Sequence, residues 1–331
     1  MNLSKNGISK ILVGDIREKS SEIGNGSIQC IVTSPPYFGH RDYSGGNPMA
    51  SEIGKETTVE QYVQNLSSTF HKLLPKLSDD GLLWLNIGDT YRDNRQLGIP
   101  WQVALALSNN GWILRSDIIW NKSNAMPSSV KSRPTVSHEY IFLFSKSKDY
   151  YYNADAIREP HVTFSKNSKM RGGRNHFGKR NGTPEQGKNG GSHNLHDGRW
   201  DQAFHPLGRN KRTVWEIPLG KYRGTHFAVF PEKLVETCIL AASRKGDLVL
   251  DPFTGSGTTG VVALRHGRRF LGVELYPGYK ALAEERILHA QRQGNLKPKT
   301  RDKREQNNLP AIVCKRNSKK ELVEFDVSAR F

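Results

Sequence analysis

Short apolar runs and helical apolar stripes alternate along residues 1–150, which is the pattern that βαβ units write into a chain. Residues 11–13 predict a strand that stops at Gly14-Asp15, and residues 28–32 predict a second that ends in a Ser-Pro-Pro-Tyr turn. Between residues 58 and 77 the apolar positions Val59, Tyr62, Val63, Leu66, Phe70, Leu73 and Leu74 recur at helical spacing. They predict one helix with a single core-facing side. A strand is expected over 81–89 and a helix over 100–109, with Gly111 as its stop. The β-rich runs 112–120 and 139–145 then predict an antiparallel pair.

The pattern fails past Tyr152. From Arg158 to Arg223 there are 14 Lys or Arg against 5 Asp or Glu, among many Gly, Asn, Ser and His and few aliphatic residues. Such a stretch cannot build much core alone, so it predicts either a disordered insertion or a loop-rich lobe that folds against a partner. Periodicity returns at Thr225. A helix opens near Phe230-Pro231, residues 247–251 read as a buried strand, and 258–266 followed by 269–274 complete a further βαβ unit. The tail past Gly294 is polar, carries ten Lys or Arg and is expected to be mobile. The resulting division is 1–152, 153–224, 225–293 and 294–331.

Charge sharpens this picture. A formal net charge of +17 over 331 residues favours a polyanionic partner. No apolar run reaches the roughly 18 residues of a membrane span, and the first residues show no secretory leader, so nucleic acid is the expected partner over an anionic membrane surface. Cys30, Cys238 and Cys314 are odd in number and show no C-x-x-C spacing, which predicts neither disulfides nor a zinc site. His193 and His196 have a spacing that metals use, but in a glycine-rich loop they read better as solvated side chains, and no metal is expected.

Two motifs carry chemistry. The segment Asp251-Pro252-Phe253-Thr254-Gly255-Ser256-Gly257-Thr258 joins a strand to a helix through a glycine-rich turn, which gathers backbone N–H groups at one point. It has no lysine where a phosphate-binding loop needs one, and its spacing departs from G-x-G-x-x-G. Glu274, 23 residues past Asp251 at the end of the next strand, can accept hydrogen bonds from both ribose hydroxyls of a nucleoside.

The other motif is Ser34-Pro35-Pro36-Tyr37. An exocyclic amino nitrogen of a base shares its lone pair with the ring and is a poor nucleophile until acceptors on its N–H groups localise that pair. The Ser34 hydroxyl and the Pro35 carbonyl supply two acceptors, while Pro35 and Pro36 stiffen the turn and remove competing donors. Tyr37 offers a face on which a flipped base can stack. No Cys follows a Pro, which speaks against attack at carbon 5 of cytosine. Asp89 or Asn86 can assist departure of the proton.

At residues 251–257 and 274 the chain resembles the S-adenosylmethionine-dependent amino-methyltransferases of DNA found in restriction-modification systems. The resemblance covers about residues 8–150 and 213–290. It implies a doubly wound, mostly parallel, seven-stranded Rossmann-like α/β sheet with one antiparallel strand and a target-recognition insertion. By the same resemblance, Thr33, Phe230 and residues 251–258 meet the cofactor, Asp15 lies near the adenine and Glu274 at the ribose. Trp120, Lys122, Arg133, His138 and Glu139 resemble the acceptor-pocket segment, where Trp120 is either a second stacking wall or a core residue.

The acceptor motif precedes the cofactor motif, the inverted order of the circularly permuted beta class of these DNA enzymes. The basic segment 153–224 then becomes the reader. Arg171, Arg174, Arg180, Arg199, Arg209, Lys211 and Arg212 are its candidate contacts to phosphates or guanine edges. Ser at the head of the acceptor motif is associated mostly with N4-cytosine, and Asp or Asn mostly with N6-adenine. The expectation is sequence-specific N4-cytosine methylation of double-stranded DNA in the cytoplasm, with N6-adenine as the alternative and a catalytically silent DNA-binding protein as a third reading. A cognate restriction endonuclease is the expected genetic partner, and either a monomer or a homodimer suffices chemically.

Overall fold

The computed structural model describes residues 8–39, 52–161, 207–220 and 230–292, with the backbone of 312–316 and 322–326. In chain order come β1 (Ser9–Val13), α1 (Ile16–Lys19), β2 (Ile28–Thr33), α2 (Val59–Leu73) and β3 (Leu77–Ile87). A small hairpin of β4 (Tyr91–Arg92) and β5 (Arg95–Gln96), then α3 (Ile99–Asn109), β6 (Ile113–Asn121), β7 (His138–Ser145) and β8 (Val214–Glu216), follow. The last part holds α4 (Glu232–Ala242), β9 (Leu248–Asp251), α5 (Thr258–Arg265), β10 (Arg269–Glu274) and α6 (Pro277–Arg292). In the tail, the backbone of β11 (Ile312–Arg316) pairs antiparallel with β12 (Leu322–Asp326). Arg171, Arg174, Arg180, Arg199, His193 and His196 lie outside the described residues.

The central sheet has eight strands in the order β1-β10-β9-β2-β3-β7-β6-β8. Only β7 runs against its neighbours, and every other pairing is parallel. The doubly wound expectation holds with one strand more than the seven implied. The extra one, β8, lies inside the basic segment and pairs with β6 through Trp120 and Trp215. Its neighbours Arg209 and Lys211 do not extend toward a partner: both bind Glu159, at 3.1 and 2.9 Å.

Side chains alternate between two cores, as a sheet covered on both faces requires. Cys30, Val32, Leu82, Trp84, Ile141 and Leu143 face the layer of α4, α5 and α6, whereas Ile31, Leu83, Leu85, Phe142 and Phe144 face α2 and α3. The stripe read from the sequence of α2 is the buried one: Tyr62, Leu66, Phe70 and Leu73 are fully covered, and Thr58 caps the helix by accepting from Gln61 N–H. Helix α2 carries the chain from β2 to β3 on one face, and α5 carries it from β9 to β10 on the other. The winding therefore reverses between β9 and β2, which are hydrogen-bonded neighbours. Ligands of doubly wound sheets bind at such a reversal, beyond the carboxyl ends of the strands. No helix among the described residues is long and apolar enough to cross a membrane.

Candidate active site

Both sequence motifs emerge at this reversal, one from β2 and the other from β9. They border a cavity of about 670 Å³, within the size range of ligand sites. The antiparallel direction of β7 brings its first residues to the same edge, so Glu139 arrives opposite Trp120, one strand away from Asn86 on β3.

In the acceptor half, the Ser34 hydroxyl donates to Tyr37 Oη at 3.1 Å, and Tyr37 Oη donates to Glu139 Oε2 at 2.6 Å. Asn86 Nδ2 donates to Tyr37 Oη at 2.9 Å and to Glu139 Oε2 at 2.8 Å, and Lys122 Nζ pairs with Glu139 Oε1. Burial, with the Glu139 charge next, pushes the Tyr37 hydroxyl well above its usual range, so it stays a neutral donor. The Ser34 proton points to Tyr37 and Ser34 Oγ accepts from Asn86 Nδ2 at 3.3 Å, which leaves one lone pair of Ser34 Oγ to accept from a ligand.

The backbone around this turn is fixed from below. Tyr62 Oη donates to the Pro36 carbonyl at 2.8 Å, while among the described residues none donates to the Pro35 carbonyl. Gly88 lets the Tyr37 ring lie against the backbone: a Cβ there would sit 2.9 Å from Tyr37 Cε2. Trp120 lines the cavity, yet it is 2% exposed and spends its N–H on the Ile217 carbonyl at 2.7 Å. It is a core tryptophan with one edge at the site. Asp89, expected to assist departure of the proton, has both oxygens engaged: they accept from Thr90, Gly98 and Ile99 N–H and from Gln96 Nε2. It braces the start of α3 and the β4–β5 hairpin, so of the two candidates only Asn86 joins the acceptor network.

In the cofactor half, Pro252, Phe253, Gly255, Ser256 and Thr258 reach the cavity wall together with Phe230, Asp15 and Glu274. Asp251, Thr33 and Gly257, expected beside the cofactor, are not brought to the wall. Asp251 is fully buried, with Oδ1 accepting from Thr33 Oγ1 and Oδ2 from Thr259 Oγ1, both at 2.7 Å. It locks β9 to β2 and to α5 under the floor. Burial raises its pKa to about 6. Gly257, at φ +79°, is demanded by packing, since a Cβ would meet that of Ala283 at 2.8 Å.

Glu274 Oε2 accepts from Gly255 N–H at 2.8 Å and Oε1 from Tyr276 N–H at 3.1 Å; burial raises its pKa to about 7. Asp15 caps α1 and holds the Arg17 guanidinium. Arg286 of α6 ties the glycine turn down by donating to Ser256 O and Oγ, both at 2.6 Å. Sequence reasoning missed Arg286, as well as Glu52 and Tyr276. Tyr276 donates to Glu52 Oε2 at 2.7 Å and so joins the segment after the acceptor turn to the end of β10. Tyr276 was findable from its place two residues past Glu274, whereas nothing in the local pattern marks Glu52. Of the candidate readers, Arg212 is described and exposed, away from the cavity wall.

The reversal point, glycine turn and terminal acid define a class of α/β enzyme that binds a nucleoside-type ligand beside a second reactant. Comparison with known proteins narrows this. Residues 28–285 match the family described as DNA methylase. Type II methyltransferase M.SmaI of Serratia marcescens is 40% identical over 308 residues, covering 84% of this chain and 90% of that protein. The structure of PvuII DNA methyltransferase (cytosine-N4-specific) superposes with a TM-score of 0.59 at 21% identity, covering 87% of this chain and 93% of the other. A Thermus thermophilus chain complexed with S-adenosyl-L-methionine superposes with a TM-score of 0.55 at 24% identity, covering 86% and 96%. This chain belongs to the DNA methylase family.

Proposed function

We propose that this protein transfers a methyl group from S-adenosylmethionine to the exocyclic N4 amino group of cytosine in DNA, as the modifying member of a restriction-modification pair. The observation that carries the reading is the directed chain Ser34 to Tyr37 to Glu139 on the wall of the cavity that the glycine turn also borders.

The residues fit the cofactor. Glu274 is a buried carboxylate at the wall, with a nearly neutral pKa and lone pairs for ribose hydroxyls. At Gly255 even an added Cβ would meet nothing closer than the Phe253 carbonyl at 4.0 Å, so the turn leaves room for close approach. Two buried oxygens of cavity-lining residues, Glu52 Oε1 and Asn86 Oδ1, have no hydrogen-bond partner among the described residues. Unsatisfied buried acceptors cost roughly 1–3 kcal/mol each, and polar ligands commonly complete such sites. When bound, the sulfonium supplies an electrophilic methyl group.

Everything else falls to the chain. Ser34 Oγ and the Pro35 carbonyl accept the two amino protons and localise the nitrogen lone pair in line for attack. Tyr37 and the edge of Trp120 flank the base. After transfer the methylated nitrogen carries a surplus proton, and a cationic nitrogen on a pyrimidine is a far stronger acid than a carboxylic acid. That proton passes to Ser34 Oγ as the Ser34 proton moves to Tyr37 and the Tyr37 proton to Glu139. Lys122 and Asn86 hold Glu139 for that role.

The choice of cytosine over adenine rests on Ser34 heading the motif. Incubation with methyl-labelled S-adenosylmethionine and plasmid DNA, followed by digestion to nucleosides, is expected to yield labelled N4-methylcytosine. Labelled N6-methyladenine would move the target, and no labelled nucleoside would overturn the enzymatic reading.

A further inference from the structure

The hairpin β4–β5 stands at the rim of the cavity and has no part in the chemistry described so far. Its tip residues Asp93 and Asn94 both have positive φ, 51° and 60°, as tight primed hairpin turns require. Its base is pinned by Asp89, which accepts from Gln96 Nε2 at 2.8 Å and from Gly98 N–H at 3.0 Å. The element is therefore preformed.

Two of the cations at this rim, Arg92 of the hairpin and Arg133, lie over rings and not against acids. The Arg133 guanidinium, at the cavity wall, lies 3.6 Å from the centre of the Tyr91 ring, and Arg92 lies 4.7 Å over Phe38, the residue after the acceptor turn, with its Nη1 donating to the Thr57 carbonyl at 3.5 Å. Arg95 is exposed beside them. Among the described residues none of these three arginines has an ion pair, in contrast to Lys122 deeper in the site. A guanidinium has five N–H donors, and stacking on a ring leaves those not already bonded for a further acceptor. A base that enters the cavity leaves its sugar-phosphate backbone at this rim, where oriented, unneutralised cations meet phosphates.

We propose that the β4–β5 hairpin, together with Arg133, grips the DNA backbone at phosphates next to the extruded nucleotide. This rests on the DNA amino-methyltransferase reading. Arg92→Ala/Arg95→Ala in the full chain should bind plasmid DNA more weakly, with a shallower salt dependence. Each lost phosphate contact removes about 0.9 from the slope of log K against log salt, so two remove about 1.8.

Lys146→Ala serves as the control, because Lys146 pairs with Asp79 beyond the opposite end of β7; its slope should match wild type. Arg92→Gln/Arg95→Gln keeps much of each side-chain stem and should reproduce the shallower slope if the alanine pair is poorly folded. Calorimetric titration with S-adenosylhomocysteine should be unchanged in all variants. A double variant with the wild-type slope overturns the hairpin proposal while wild type still methylates plasmid. Wild-type protein that transfers no methyl group overturns the underlying reading, whatever the slopes.

Discussion

Gly88→Ala tests whether the acceptor site depends on the exact seat of the Tyr37 ring. The new Cβ would lie 2.9 Å from Tyr37 Cε2 and 3.4 Å from both Tyr37 Cδ2 and Glu139 Cγ. Carbon atoms prefer about 3.5–4.0 Å, so the ring must retreat by roughly 0.6 Å or more. It has little freedom to do so, because its hydroxyl is tied to Glu139 at 2.6 Å and Asn86 at 2.9 Å. Overpacking of this kind costs about 1–3 kcal/mol. A displacement approaching 1 Å at reacting groups costs on the order of 10²-fold in rate. Urea unfolding should therefore show a loss of about 1–3 kcal/mol, and single-turnover methyl transfer should fall by roughly 10²-fold. Cofactor affinity, read by calorimetry, should stay near wild type, since Glu274 and Gly255 lie across the cavity. A Gly88→Ala protein with wild-type stability and transfer rate would refute the reasoning.

Three further outcomes follow from the same geometry. Burial holds Glu274 protonated up to about pH 7, and ribose hydroxyls donate to its ionised form; cofactor affinity should therefore weaken as pH falls through about 7, and Glu274→Gln should flatten that profile in calorimetry. Asp251 ionises near 3.9 when unfolded but at about 6 when folded, so the native state holds more protons in between and stability falls as pH rises from about 4 to 6. Glu274, raised to about 7, contributes a fall of the same sign, so denaturation curves should show Asp251→Asn with a shallower trend, a change of about 3 kcal/mol relative to wild type across the window. Arg286→Ala frees the glycine turn and should weaken S-adenosylhomocysteine binding several-fold with a small effect on melting temperature, whereas unchanged binding would show that Arg286 does not hold the turn.

Much of the frame was legible because local apolar period reports burial directly. The α2 stripe, the order of βαβ units and the meeting of the two motifs all follow from it. Strand β8 was not legible: it is three residues long, Val214 is 54% exposed, and its place is set by pairing with β6 and not by its own pattern. The turn at 251–258 is recognisable from its glycines, but spacing alone does not say which side of a turn faces a cavity: Asp251, expected beside the cofactor, is buried and bonded to Thr33 and Thr259. The sequence places Glu139 in a polar set on the later strands. Its link to Tyr37 spans 102 residues and exists only because β7 runs backwards in the sheet.

The central claim is that Ser34 presents an acceptor to the amino group of cytosine while handing its own proton toward Tyr37 and Glu139. The most direct measurement is the labelled nucleoside formed in a single turnover by wild type and by Ser34→Ala, at matched cofactor and DNA occupancy. Wild type should give N4-methylcytosine, and Ser34→Ala should form it on the order of 10²-fold more slowly, as expected for loss of one preorganised polar group. N6-methyladenine as the product, or equal rates from the two proteins, would contradict the account.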